Sequence, residues 1–130
     1  MQRGTLIDSS VLLWAMLNMP GFIGAKTRMI LDDEHIKRYV SVATFWELTI
    51  KKSIGKLAFP DDLVEQTSRA NITVLPIENS HLNKLILLPH FHRDPFDRLL
   101  IAQAQAENLT LLTTDKNIKL YAVDVLDAAA

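Results

Sequence analysis

Short apolar runs alternate along this chain with amphipathic stretches, and the alternation predicts strands and helices in turn. Thr5-Leu6-Ile7 reads as a buried strand, followed by a helix over Val11–Asn18 that Ser9 or Ser10 would cap. Pro20-Gly21 ends that helix, and a second follows over about Ala25–Asp33. Arg38–Ser41 predicts the second strand. Ser41 then caps a helix from Val42 to about Ile54, closed by Gly55, and Ala43, Trp46 and Ile50 mark its expected packed stripe. Asp61 or Asp62 opens a short helix to about Ala70, and Ile72–Leu75 forms a strand that Pro76 ends. A helix beginning at Glu78-Asn79-Ser80 carries Leu82, Leu85 and Ile86 on one face; Pro89 stops it, and His90–Arg93 is a loop. A long helix spans Pro95–Glu107, Leu109–Leu112 is a strand, Asp115–Leu120 a short helix and Ala122–Val125 a last edge strand. Strands alternating with helices predict an α/β fold with a parallel sheet covered on both faces and joined by right-handed crossovers. No repeat or linker interrupts the pattern, so residues 1–130 read as a single domain.

Composition narrows the function. With 48% apolar and 22% charged residues, the chain has the balance of an ordinary globular domain. It has no cysteine, which excludes disulfides and thiolate zinc sites and fits a reducing cytosol. Asp8 interrupts the first apolar run before a signal-like core forms, and Val11–Leu17 is too short to span a bilayer. A net charge of −1 argues against a generic polyanion binder. Any nucleic-acid contact would need a local basic rim.

Four acids carry the candidate chemistry. Asp8, Glu47, Asp97 and Asp115 each stand where a strand gives way to a helix or in the first turns of a helix. Such positions can converge on the carboxyl edge of a parallel sheet, the usual ligand site of open α/β folds. Gathered carboxylates repel one another unless a cation or a shared proton offsets the charge, and an all-oxygen site suits Mg²⁺ or Mn²⁺. Each acid also has a plainer reading. Asp94 would be the N-cap of the helix that opens at Pro95. Asp97 is a first-turn acid favoured by the helix dipole, Asp8 and Asp115 sit at turn or cap positions, and Glu47 lies at the border of a packed stripe.

The segments around these acids, Leu6–Trp14, Ser41–Leu48, His92–Ala104 and Leu111–Asp115, resemble a PIN domain and, more narrowly, the VapC-type toxins of bacterial toxin–antitoxin pairs. The resemblance runs from the first strand to the last. It implies a three-layer α/β/α sandwich with strand order 3-2-1-4-5 and a Mg²⁺- or Mn²⁺-dependent endoribonuclease. Carried over residue by residue, the catalytic set is Asp8, Glu47, Asp97 and Asp115, with the metal on Asp8, Asp97 and Asp115. Asp94, Thr113 and Ser9 would support it. Ser10 stands where many relatives carry His or Asn, which bears on substrate positioning. The resemblance further implies a cytoplasmic homodimer silenced by a cognate antitoxin.

Lys51, Lys52, Arg93 and Arg98, with Lys56 and Lys116, are candidates for a basic rim facing RNA. Arg98 could instead pair with an acid. His90 and His92 form an H-x-H pair that reads better as loop residues than as a metal site, while His35 and His81 carry no signal. Trp14 and Trp46 read as core or dimer contacts. Two other functions fit the same acids: a nuclease acting on DNA or structured nucleic acid, and a non-catalytic module stabilised by a cation.

Overall fold

Leu6 and Ile7 point to opposite faces of one strand, as do Leu111 and Leu112 of its neighbour, so apolar runs this short need cover on both sides. A computed structural model, describing residues 3–17 and 23–129, supplies that cover. Five parallel strands form its sheet: β1 (Thr5–Ile7), β2 (Arg38–Ser41), β3 (Thr73–Leu75), β4 (Thr110–Thr113) and β5 (Val125–Asp127), in the order β3-β2-β1-β4-β5. Leu6 pairs with Tyr39 on one side and Leu111 on the other. The helices are α1 (Ser9–Met16), α2 (Ala25–Asp32), α3 (Val42–Ser53), α4 (Leu63–Arg69), α5 (Asn79–Leu85) and α6 (Pro95–Glu107), with a 3-10 turn at Lys116–Leu120.

On one face Leu6 and Leu111 pack with Leu100, Ile101 and Ala104 of α6 and with Leu85 of α5. On the other, Ile7, Val40 and Leu112 pack with Val11 and Leu12 of α1, Leu48 of α3 and Leu63 of α4. The expected three-layer sandwich and its strand order are therefore both present. Among the described residues no helix is long and apolar enough to cross a membrane.

Several local expectations shift. The proposed break at Pro20-Gly21, with Asn18, lies outside the described residues. Helix α1 starts earlier than expected because Asp8, rather than Ser9 or Ser10, caps it: Asp8 Oδ1 accepts from Val11 N–H at 2.9 Å. Ser41 does cap α3, accepting from Ala43 N–H at 3.0 Å, and Gly55 takes the left-handed conformation (φ 75°) that ends it.

The stripe expected to pack on α3 is partly inverted. Ala43 is buried, but Trp46 is 57% exposed, and the packed face runs through Ala43, Thr44 and Leu48. On α5, Leu82 and Ile86 face outward, and His81 and Leu85 face the core instead. His81 is fully buried, its Nδ1 accepting from Glu78 N–H and its Nε2 lying 3.3 Å from Glu107. The last strand begins three residues later than expected. Val123 N–H turns back to Tyr121 O, and Leu111 N–H bonds Asp124 O, which sets Val125 opposite Leu111.

Candidate functional site

Topology explains why acids so distant in the chain meet. β1 and β4 are neighbours, and the strand order reverses between them, which opens a crevice at their carboxyl ends. Asp8 follows β1 and Asp115 follows β4 after one residue. Helix α6 runs back toward the start of β4, so its first turn, with Asp97, stands over the same edge, and α3 leaves β2 there with Glu47 in its second turn.

Asp8 is the most enclosed of the four, 6% exposed. Beyond its cap bond to Val11, its Oδ2 accepts from the Thr113 hydroxyl, and Thr113 Oγ1 in turn accepts from Asp115 N–H at 3.0 Å. One hydroxyl thus ties the first acid to the backbone of the last. Burial pushes the Asp8 carboxyl up to about 6; the bonds from Thr113 and Val11 oppose this, and the charges of Glu47 and Asp115 add to it. Burial likewise raises Asp97, to about 7, reinforced by repulsion from Asp94, Glu47 and Asp115 and opposed by His92.

Glu47 has its side chain 12% exposed, with Lys51 one helical turn on at 3.3 Å from its Oε2. Asp94 serves as the N-cap of α6, its Oδ1 accepting from Phe96 N–H at 2.8 Å and Asp97 N–H at 3.3 Å. Asp115 caps the 3-10 turn through Asn117 N–H. Ser9 and the partly buried Ser10 open α1 beside Asp8. The plainer cap readings of Asp8, Asp94 and Asp115 are all realised, and these residues still gather at one edge. A carboxyl can cap a helix with one oxygen and face the crevice with the other.

The sequence signals only a loop at His92, and the structure sets its ring among these acids. His92 Nε2 lies 2.7 Å from Asp115 Oδ2 and 3.2 Å from Asp97 Oδ2. Among the described residues, His92, Asp97 and Asp115 form the group whose ligand atoms fall within 4.8 Å of one another. His90 is exposed, and the group of described residues that could hold a metal includes His92 without it. The loop is held from behind: Tyr121 Oη accepts from His92 N–H at 2.9 Å and donates to Pro89 O at 2.8 Å.

Two rim candidates have other partners. Among the described residues Arg98 pairs with no acid; its Nη1 donates to Pro89 O at 2.8 Å and His92 O at 3.4 Å, and its Nη2 to Leu88 O at 3.4 Å, bracing the same loop. Lys52 is turned toward Asp61 (2.6 Å), Phe59 O (2.5 Å) and the Phe59 ring. Lys51 sits against Glu47, and Arg93 is exposed beside the loop. Trp46 and Phe96, each adjacent to a site acid, meet edge to face at 5.0 Å.

The donor set fits a divalent cation. Carboxyls pushed up by burial and mutual repulsion are stabilised when a positive charge enters among them, and oxygen donors suit Mg²⁺ or Mn²⁺.

The folds of known proteins agree with this architecture. A chain of VapBC2 from Rickettsia felis, bound to a DNA fragment from their promoter, matches with a TM-score of 0.67 at 15% identity, over 95% of this chain and 97% of that one. A chain of DNA-bound VapBC from Salmonella typhimurium matches at 0.67 and 14%, over 97% and 98%. A chain of FitAcB from Neisseria gonorrhoeae matches at 0.64 and 17%, over 95% and 97%. No curated protein sequence matches the chain. The PIN domain family model matches residues 5–124, from the first residue of β1 to the residue before β5. With the sheet order and the acid-lined crevice in agreement, the chain belongs to the PIN domain family.

Proposed function

We propose that this chain is a Mg²⁺- or Mn²⁺-dependent endoribonuclease, the cytoplasmic toxin of a toxin–antitoxin pair. The observation that carries the reading is the set of carboxyls at the β1/β4 edge, with Asp8 and Asp97 raised by burial and each repelled by Glu47 and Asp115. The fold neighbours from the VapBC and FitAcB structures support the toxin role and a cognate antitoxin as partner.

Asp8, Asp97 and Asp115 would hold the cation, which when bound acidifies a water and neutralises charge on the phosphate. The remaining work falls to the chain. Thr113 fixes the Asp8 carboxylate and the Asp115 backbone with one hydroxyl. Asp94 sets the first turn of α6 and so the direction of Asp97. Glu47, held by its helical partner Lys51, receives the proton of the attacking water. Arg93, Lys51 and Lys116 supply the basic rim that draws RNA toward an acidic crevice. Val42, Trp46, Ile50 and Ile54 recur every four residues on the exposed side of α3, an apolar face suited to a second copy in a homodimer.

The test is cleavage of RNA and of DNA of matched sequence, with Mg²⁺ or Mn²⁺ and with EDTA. RNA cut only with metal, and left intact by Asp8→Asn, bears the proposal out. Metal-dependent stability without cleavage of either polymer sinks it in favour of a cation-stabilised binding module.

A further inference from the structure

A histidine that binds a metal through one ring nitrogen normally carries its proton on the other and donates it to a carbonyl or carboxylate. His92 has the opposite arrangement. Its Nδ1 accepts a hydrogen bond, from Asp94 N–H at 3.1 Å, so that nitrogen must present a lone pair. The neutral ring therefore carries its proton on Nε2, the atom set between Asp115 and Asp97 at 2.7 and 3.2 Å. A protonated Nε2 has no lone pair for a cation.

From this geometry we infer that His92 is a positioning residue rather than a ligand: its Nε2–H donates to Asp115 with Asp97 3.2 Å away, and it stands where a divalent cation would have to enter. The inference rests on the metal-dependent reading proposed above. It follows that the ring and the cation compete for the same two carboxylates. The main chain on which the ring is mounted stays in place. His92 N–H is held by Tyr121 Oη, and Arg98 braces His92 O and Pro89 O. Displacement is thus a rotation of the side chain alone, which breaks the bond from Asp94 N–H. In the cation's absence this donor beside the two acids lessens their mutual repulsion. Each site acid is then preset near its working position, and the cost is a weaker affinity for the ion.

Two measurements at one fixed pH test this. The first is Mn²⁺ affinity of the metal-free protein, by electron paramagnetic resonance titration, for wild type and His92→Ala. The variant should bind Mn²⁺ roughly fivefold or more tightly, because a competing donor is gone. Equal or weaker binding overturns the inference, weaker binding marking His92 as a ligand. The second needs no variant: ¹⁵N spectra of the histidine rings in metal-free wild type should show His92 protonated on Nε2, and a proton on Nδ1 overturns the inference. The two proposals fail separately. A wild type that cleaves RNA while His92→Ala gains no affinity defeats only the role of His92. A wild type that binds Mn²⁺ and cleaves nothing defeats only the ribonuclease reading, and one that binds no Mn²⁺ defeats both.

Discussion

The Thr113 hydroxyl donates to the Asp8 carboxylate across 105 residues of chain, and the same oxygen accepts the Asp115 N–H. Asp8 is almost fully buried, so this bond replaces water that cannot reach it. Thr113→Val should cost about 1–3 kcal/mol, because it leaves a buried carboxylate oxygen without its donor. Thr113→Ser should restore most of the loss. Urea denaturation of the two variants checks both values, and a Ser variant less stable than the Val variant would mean that the methyl, not the hydroxyl, matters at this position.

Asp8 and Asp97 have carboxyls raised to about 6 and about 7 from an ordinary 3.8. The folded protein therefore keeps protons that the unfolded chain has released between roughly pH 4 and 7. Stability of the metal-free protein should fall as pH rises through that window and level off above it. Asp8 accounts for roughly 2–3 kcal/mol, and the more exposed Asp97 for less than its shift implies. Calorimetry in EDTA should show the melting temperature dropping by about 5–10 °C from pH 5 to pH 8. Saturating Mn²⁺ should remove most of that slope.

Substitution at Asp97 separates function from stability. Asp97→Asn removes one charge from a crowded set, so the metal-free variant should melt higher than wild type at pH 8. Cleavage of RNA should fall on the order of 10³-fold. Parallel melting and cleavage assays check this; a variant that is both less stable and inactive would point to a structural role for the carboxyl.

Arg98 was read as a candidate for RNA contact, and its guanidinium instead reaches the carbonyls of Leu88, Pro89 and His92. Arg98→Lys keeps the charge and loses the planar fork, so it should cost about 1–2 kcal/mol while leaving the salt dependence of RNA binding unchanged. Arg93→Ala should do the reverse, lowering the salt slope at constant melting temperature.

Much of this architecture was legible before any coordinates. The β-branched and leucine-rich runs marked the strands because each is buried on both faces, and the Asp94-Pro95 start of α6 is a local signal that needs no tertiary context. The places of the acids follow from the same punctuation, since each stands at or near an element end. His92 was missed for a physical reason. Its role depends on a loop braced by Arg98 and Tyr121 and on an acid 23 residues away, and neither leaves a periodic trace. Trp46 was misplaced because helical spacing reports that a stripe exists, not which way it faces. The late start of β5 followed from pairing with β4, which apolar content around Ala122-Val123 could not reveal.

The threonine ends the fourth strand in chain order and the final acid follows it, both after residue 112. During synthesis, then, a growing polypeptide holds Asp8, Glu47 and Asp97 without the residues that lock the first of them and complete the set. The centre stays unassembled until residue 115 has emerged, a built-in delay on whatever the finished crevice does.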